Sequence, residues 1–282
     1  MSFITEHKIP LGNWMASFVD WLTTHGASFF DSLSYGLESA IMLLVEVFKW
    51  LPVSGVIALA AICAWLLQRS IPLAIFVVAS LLLILNLGYW QEMLETFVLV
   101  LAATIISVLV GVPIGIMAAH RKWLYTIMRP ILDLMQTIPT FVYLIPTLVL
   151  FGLGVVPGLI STVIFAIAAP IRLTYLGIRE VPEELIEAGK AFGANRMKLL
   201  FKVELPAAMP NIMAGVTQCI MLSLSMVVIS ALVGADGLGK PVVRALNTVN
   251  IAQGFEAGLA IVLVAIILDR LCKAPASQER NK

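Results

Sequence analysis

The sequence predicts an all-α polytopic membrane protein, and three observations predict it. Of the 282 residues, 60% are hydrophobic and 12% charged, against the ~25% charge of soluble domains. Mean hydropathy is +1.00, so a water-soluble globule of this mass would expose apolar patches far above the few hundred Å² that monomers tolerate. Apolar runs follow one another from Leu51 to Cys272, each near the ~20 residues that cross a bilayer as a helix. Disorder and collagen are excluded because the apolar content is high and the 19 glycines have no period.

Residues 1–50 come first and are mixed. Trp14, Phe18, Trp21 and Leu22 share one helix face, as do Phe29, Phe30, Leu33 and Leu37, with Asp20, Asp31, Glu38 and Glu46 between them. Tryptophan favours headgroup depth, so the segment reads as amphipathic helices lying at the membrane interface; a water-exposed cap is the other reading. MSFITEHKIP has no apolar core of the kind a cleavable signal peptide needs.

A transmembrane domain is expected at 51–272, followed by a tail at 273–282. Its seven spans are expected at 51–68, 72–89, 94–119, 130–152, 157–178, 211–234 and 253–272. Arg69 and Ser70 separate the first two, and Tyr89–Trp90 close the second as an interfacial belt. The third contains Gly111, Pro113 and Gly115. Bilayer helices tolerate such residues where neighbours satisfy the freed carbonyls, and GVPIG spaces two small residues for close helix contact.

Charge gives the orientation. Arg69, the 121–129 loop, the 172–202 block and the residues from Arg270 onward hold 14 of the 18 Lys and Arg. Only Lys8, Lys49, Lys240 and Arg244 lie in the other set. Basic loops stay cytoplasmic, so the 179–206 loop and the C-terminus are expected inside. Seven crossings then put the N-terminus outside.

That 179–206 loop is the most informative segment. Pro182, Glu183 and Glu184 read as a helix start, with acids where the helix dipole favours them. Leu185, Ala188 and Phe192 follow as an apolar stripe, and Gly193 permits a turn with φ > 0. Asn195 is placed to cap a second helix carrying Met197, Leu200, Phe201 and Val203, which Pro206 and Pro210 are expected to end. Periodicity alone leaves two readings: a partner's groove receives this helix–turn–helix, or it is a solvated basic connector facing anionic lipid.

Glu187-Ala188-Gly189, then Gly193, then Val203-Glu204-Leu205-Pro206 resemble the EAA loop of ABC importer permeases: EAA, three residues, Gly, nine residues, I-x-L-P. All spacings fit; Gly189 stands for Ala and Val203 for Ile. Segments such as RPILDLMQTIPTFVYLIP and SLSMVVISALVGADGLG are similar to the membrane subunit of glycine betaine/proline importers, over nearly the whole chain. The resemblance implies a type I importer transmembrane domain. It also implies a homodimer around a central path, two ABC ATPase subunits below and a solute-binding protein outside. Membrane lipid surrounds such a protein, and nucleic acid has no part in it. The loop becomes a coupling helix, with Glu187, Ala188, Gly189, Phe192, Gly193, Ala194, Asn195, Arg196, Leu205 and Pro206 as its candidate residues. Glycine betaine is the expected solute, with proline, carnitine or choline as alternatives; a stand-alone secondary transporter is a reading of a different class.

The fourth span is the most polar, and intramembrane polar residues face a bundle interior or a water-filled path. Met135, Gln136, Thr137, Pro139, Phe141 and Tyr143 are therefore the candidate path residues, although helix–helix packing accounts for the same pattern. Pro139 and Pro146 are expected to break the helix. Arg172 is expected to line the inner gate or to reach the headgroups.

Other chemistry finds no support. Cys63, Cys219 and Cys272 lie far apart, and His7, His25 and His120 have no ligand spacing. Gly234 to Lys240 fits part of a phosphate-binding loop, but Pro241 supplies neither the hydroxyl nor the N–H, and a membrane segment precedes it. It reads as an outer turn, either a plain reversal or a contact for the binding protein. The chain is expected to hold no cofactor and to be no enzyme, ATP and Mg²⁺ being bound by the partner ATPase.

Overall fold

The computed structural model describes residues 10–272; the 273–282 tail and Lys8 lie outside the described residues. Among those described, every regular element is helical. Helix α1 (Leu11–Trp50) is a single run of 40 residues, about 60 Å long at 1.5 Å per residue, where several amphipathic helices were expected. It ends at Leu51, which is extended (ψ 137°) because the following Pro52 disfavours helical geometry. The chain bends there by 101° into α2 (Val53–Gln68). Arg69, in the left-handed region, turns α2 back against α3 (Ile71–Asn86), forming a hairpin of two 16-residue helices.

Helix α4 (Trp90–His120) runs 31 residues through Pro113. Helix α5 (Lys122–Thr137) follows, the first arm of the broken span expected at 130–152. Pro139 holds Ile138 extended, and the chain turns 107° through a tight turn at Thr140–Tyr143 into α6 (Leu144–Phe151). Pro146 breaks nothing: as the third residue of α6 it sits where helix N–H groups have no partner anyway. Helices α7 (Val155–Ala166) and α8 (Ala168–Arg179) are nearly continuous.

After α9 (Glu183–Ala191) and α10 (Arg196–Leu199), a wide π turn at Leu200–Glu204 leads straight into α11 (Leu205–Ser230). Pro206 and Pro210 therefore lie inside one helical run and do not end it. In the π turn the Leu205 N–H reaches back five residues to Leu200, so the wider register removes the bond that Pro206 has no N–H to make. A short turn, then α12 (Gly239–Thr248) and α13 (Ile251–Cys272), complete the described chain.

Four runs are long and apolar enough to cross a membrane, at 90–120, 155–179, 196–233 and 251–272, and six if each bent pair counts as one crossing. The centre is α4, α8 and α11. Gly111 and Gly115 of α4 lie against Pro170 and Thr174 of α8, the close contact GVPIG implies. At the basic end Ala119, Ile178, Ala208 and Ile212 form one buried cluster. A larger cluster joins the α2–α3 hairpin to α4, α7, α11 and α13.

Candidate functional site

The basic loop folds as a compact helical hairpin. Glu183 and Glu184 occupy the first turn of α9. At its end the N–H groups of Gly193 and Ala194 bond the carbonyls of Lys190 and Gly189 at 2.9 and 3.0 Å, with Gly193 at φ +76°. This is the closure that glycine favours. Asn195 Oδ1 then accepts the Lys198 N–H at 2.9 Å, capping α10.

The inner side of the hairpin is Gly189 against Leu199 and Val203. A Cβ at 189 would stand 2.7 Å from Leu199 Cδ1, so Ala there would require the end of that leucine to move aside. The outer side faces away from the bundle: Glu187, Ala188, Phe192, Gly193, Asn195 and Arg196 are exposed, Phe192 at 93%. Ala194 is half-buried. Leu205 packs against the cluster around Ala119 and Ala208, and Pro206 lies beside it at the foot of α11. These two belong to the root of the loop and not to its tip.

Two polar contacts fasten that root. Asn211 Nδ2 donates to Glu180 Oε2 at 3.1 Å, and Glu204 Oε2 lies 2.9 Å from His120 Nε2. Sequence reasoning missed both partners. Glu204 entered only as a spacer in a motif, and His120 only as a metal ligand without companions.

The path candidates gather at the α5–α6 elbow. Gln136, Thr137, Pro139 and Phe141 are exposed there; Met135 and Tyr143 are half-buried. Tyr143 Oη donates to the Met135 carbonyl at 2.6 Å, replacing a bond that the break removed. Thr147 and Ser161 hydroxyls meet at 2.6 Å between α6 and α7. Arg172 Nη2 bonds Asp133 Oδ1 at 2.6 Å, holding α5 to α8, and the rings of Tyr125 and Tyr175 stack between the same helices.

At the opposite end, the Gly234–Gly239 turn is bonded to α4: the Leu238 N–H donates to Thr96 Oγ1 at 2.8 Å. Lys240 pairs with Asp236. Nearby, Glu46, Lys49, Glu95 and Asp236 line a cavity of about 190 Å³, with Lys49 and Glu95 3.1 Å apart.

Comparison with known proteins follows the same lines. A family model described as "Binding-protein-dependent transport system inner membrane component" matches residues 111–273. The chain is 49% identical over 265 residues to the glycine betaine transport system permease protein OpuAB of Bacillus subtilis (strain 168), covering 94% of this chain and 93% of that protein. It is 44% identical to the glycine betaine/carnitine transport permease protein GbuB of Listeria monocytogenes (94% and 95% covered). Against the glycine betaine/proline betaine permease protein ProW of Escherichia coli (strain K12) identity is 40%, with 98% and 78% covered. Among solved structures, an inward-facing conformation of the MetNI methionine ABC transporter contains a chain similar at TM-score 0.56 and 25% identity, over 62% of this chain and 88% of that one.

Proposed function

The chain belongs to the binding-protein-dependent transport system inner membrane components, and on that premise we propose that it is the permease subunit of an ATP-driven importer for glycine betaine or a related compatible solute. The observation that carries the reading is the exposed turn from Phe192 to Arg196, an apolar and basic tip shaped by the Gly193 closure and the Asn195 cap. Such a tip fits a groove on an ATPase subunit. In this reading two copies of the chain enclose a central path, two ATPases bind ATP and Mg²⁺ beneath it, and a solute-binding protein delivers solute from outside. The chain itself binds no nucleotide. ATP-driven closure of the ATPases draws the two tips together, and the spans rock between inward- and outward-facing packings a few kcal/mol apart.

Orientation follows from the basic loops. With the bent α5–α6 pair as one crossing, Arg121, Lys122 and the Arg179–Lys202 block share the cytoplasmic side, leaving α1 outside at the membrane interface. The solute leans on the relatives' names, which are shared among glycine betaine, proline betaine and carnitine carriers. Exposed Phe141 at the elbow offers a passing quaternary ammonium a weak cation–π contact.

The test is reconstitution with the ATPase subunit and binding protein in vesicles. Uptake of glycine betaine is expected to require ATP and to be lost with Gly193→Val. Unchanged assembly and uptake in that variant would remove the docking role, and uptake without any ATPase would support secondary transport.

A further inference from the structure

Glu204 occupies a position where a carboxylate is costly. Its side chain is 8% exposed, and an uncompensated buried charge is strongly destabilising. No donor among the described residues meets its Oε2 in regular hydrogen-bond geometry; its close charged contact is His120 Nε2 at 2.9 Å. The other ring nitrogen, His120 Nδ1, lies 2.9 Å from the Ile116 carbonyl. A carbonyl only accepts, so Nδ1 carries a hydrogen, and the ring is fixed with Nε2 towards Glu204. At that distance the two groups form an ion pair whenever the ring is protonated.

The pair joins the two elements that a lever must connect. Glu204 ends the π turn that makes α10 continuous with α11, and π turns concentrate at functional sites. His120 is the last residue of α4. Twenty-four positions earlier the same helix carries Thr96, whose hydroxyl accepts the Leu238 N–H of the opposite turn. Helix α4 is thus fastened to the coupling loop at one end and to the outer turn at the other, about 36 Å apart.

We infer that Glu204 and His120 are positioning residues. Their pair transmits displacement of the coupling loop to α4, and α4 carries it to the outer turn through Thr96. The inference rests on the importer reading. Its test uses the whole transporter in vesicles, measuring glycine betaine imported per ATP hydrolysed and the stimulation of hydrolysis by loaded binding protein. Glu204→Gln and His120→Leu are expected to lower both by about 2- to 30-fold, while the ATPase still co-purifies. His120→Lys, which places a cation opposite the carboxylate, is expected to retain wild-type values, a rescue that loss of packing would not give. Wild-type ratios in both neutral variants overturn the strut. So does a His120→Lys protein as impaired as His120→Leu. If a neutral variant does not assemble, His120→Lys decides alone by the same ratios. A wild-type complex without ATP-dependent uptake overturns the importer reading instead, so the two failures are distinguishable.

Discussion

At Gly193 the backbone passes through φ +76°, a region that costs a side-chain-bearing residue about 1–3 kcal/mol. Gly193→Val is expected to loosen the tip before it affects the spans, seen as faster hydrogen exchange at Ala194 to Leu199 with the transition temperature of the spans unchanged. Asn195→Ala removes one cap worth about 1 kcal/mol, so exchange at Lys198 is expected to rise about fivefold; Asn195→Asp, which also caps, is expected to restore it. Both residues are legible in the sequence because a turn and a cap are settled within three or four neighbours. Glu204 is not legible in that way. Its burial depends on α4 and α11 meeting across 84 positions of chain, and no local pattern encodes that meeting.

Among the elements, the prolines are the instructive case. Pro139 breaks its segment as expected, whereas Pro146, Pro206 and Pro210 lie inside helices. A proline's effect depends on whether its missing N–H was needed: not in the first turn of α6, and not at Pro206 past a π turn. The break at Pro139 leaves the Met135 carbonyl without its helical partner, and Tyr143 supplies a hydroxyl instead. Tyr143→Phe is expected to lower stability by about 1 kcal/mol or somewhat more, read as an earlier thermal transition in detergent. Arg172→Gln is expected to change stability by less than about 1 kcal/mol, because its pair with Asp133 is partly solvated. The elbow itself was visible as a polar, proline-bearing stretch; its 107° angle was not, since it depends on how α6 packs against α7.

For the whole molecule, composition suffices for a helical membrane protein, and the charge count predicts a sidedness that labelling tests. With the native cysteines replaced, Asn195→Cys is expected to react with an impermeant thiol reagent only when the cytoplasmic face is open to it. The exposed Trp14 and Trp21 are expected to be quenched by lipids brominated near the headgroups. The corner at Leu51–Pro52 has a geometric corollary for neighbours. A 101° change of direction cannot leave both arms upright; set α2 along the bilayer normal, and α1 comes within about 11° of the surface plane, the excess of 101° over a right angle. Such a recumbent arm, twice the hydrocarbon thickness in length, widens the molecule's footprint and sets how near the next protein in a crowded membrane can stand.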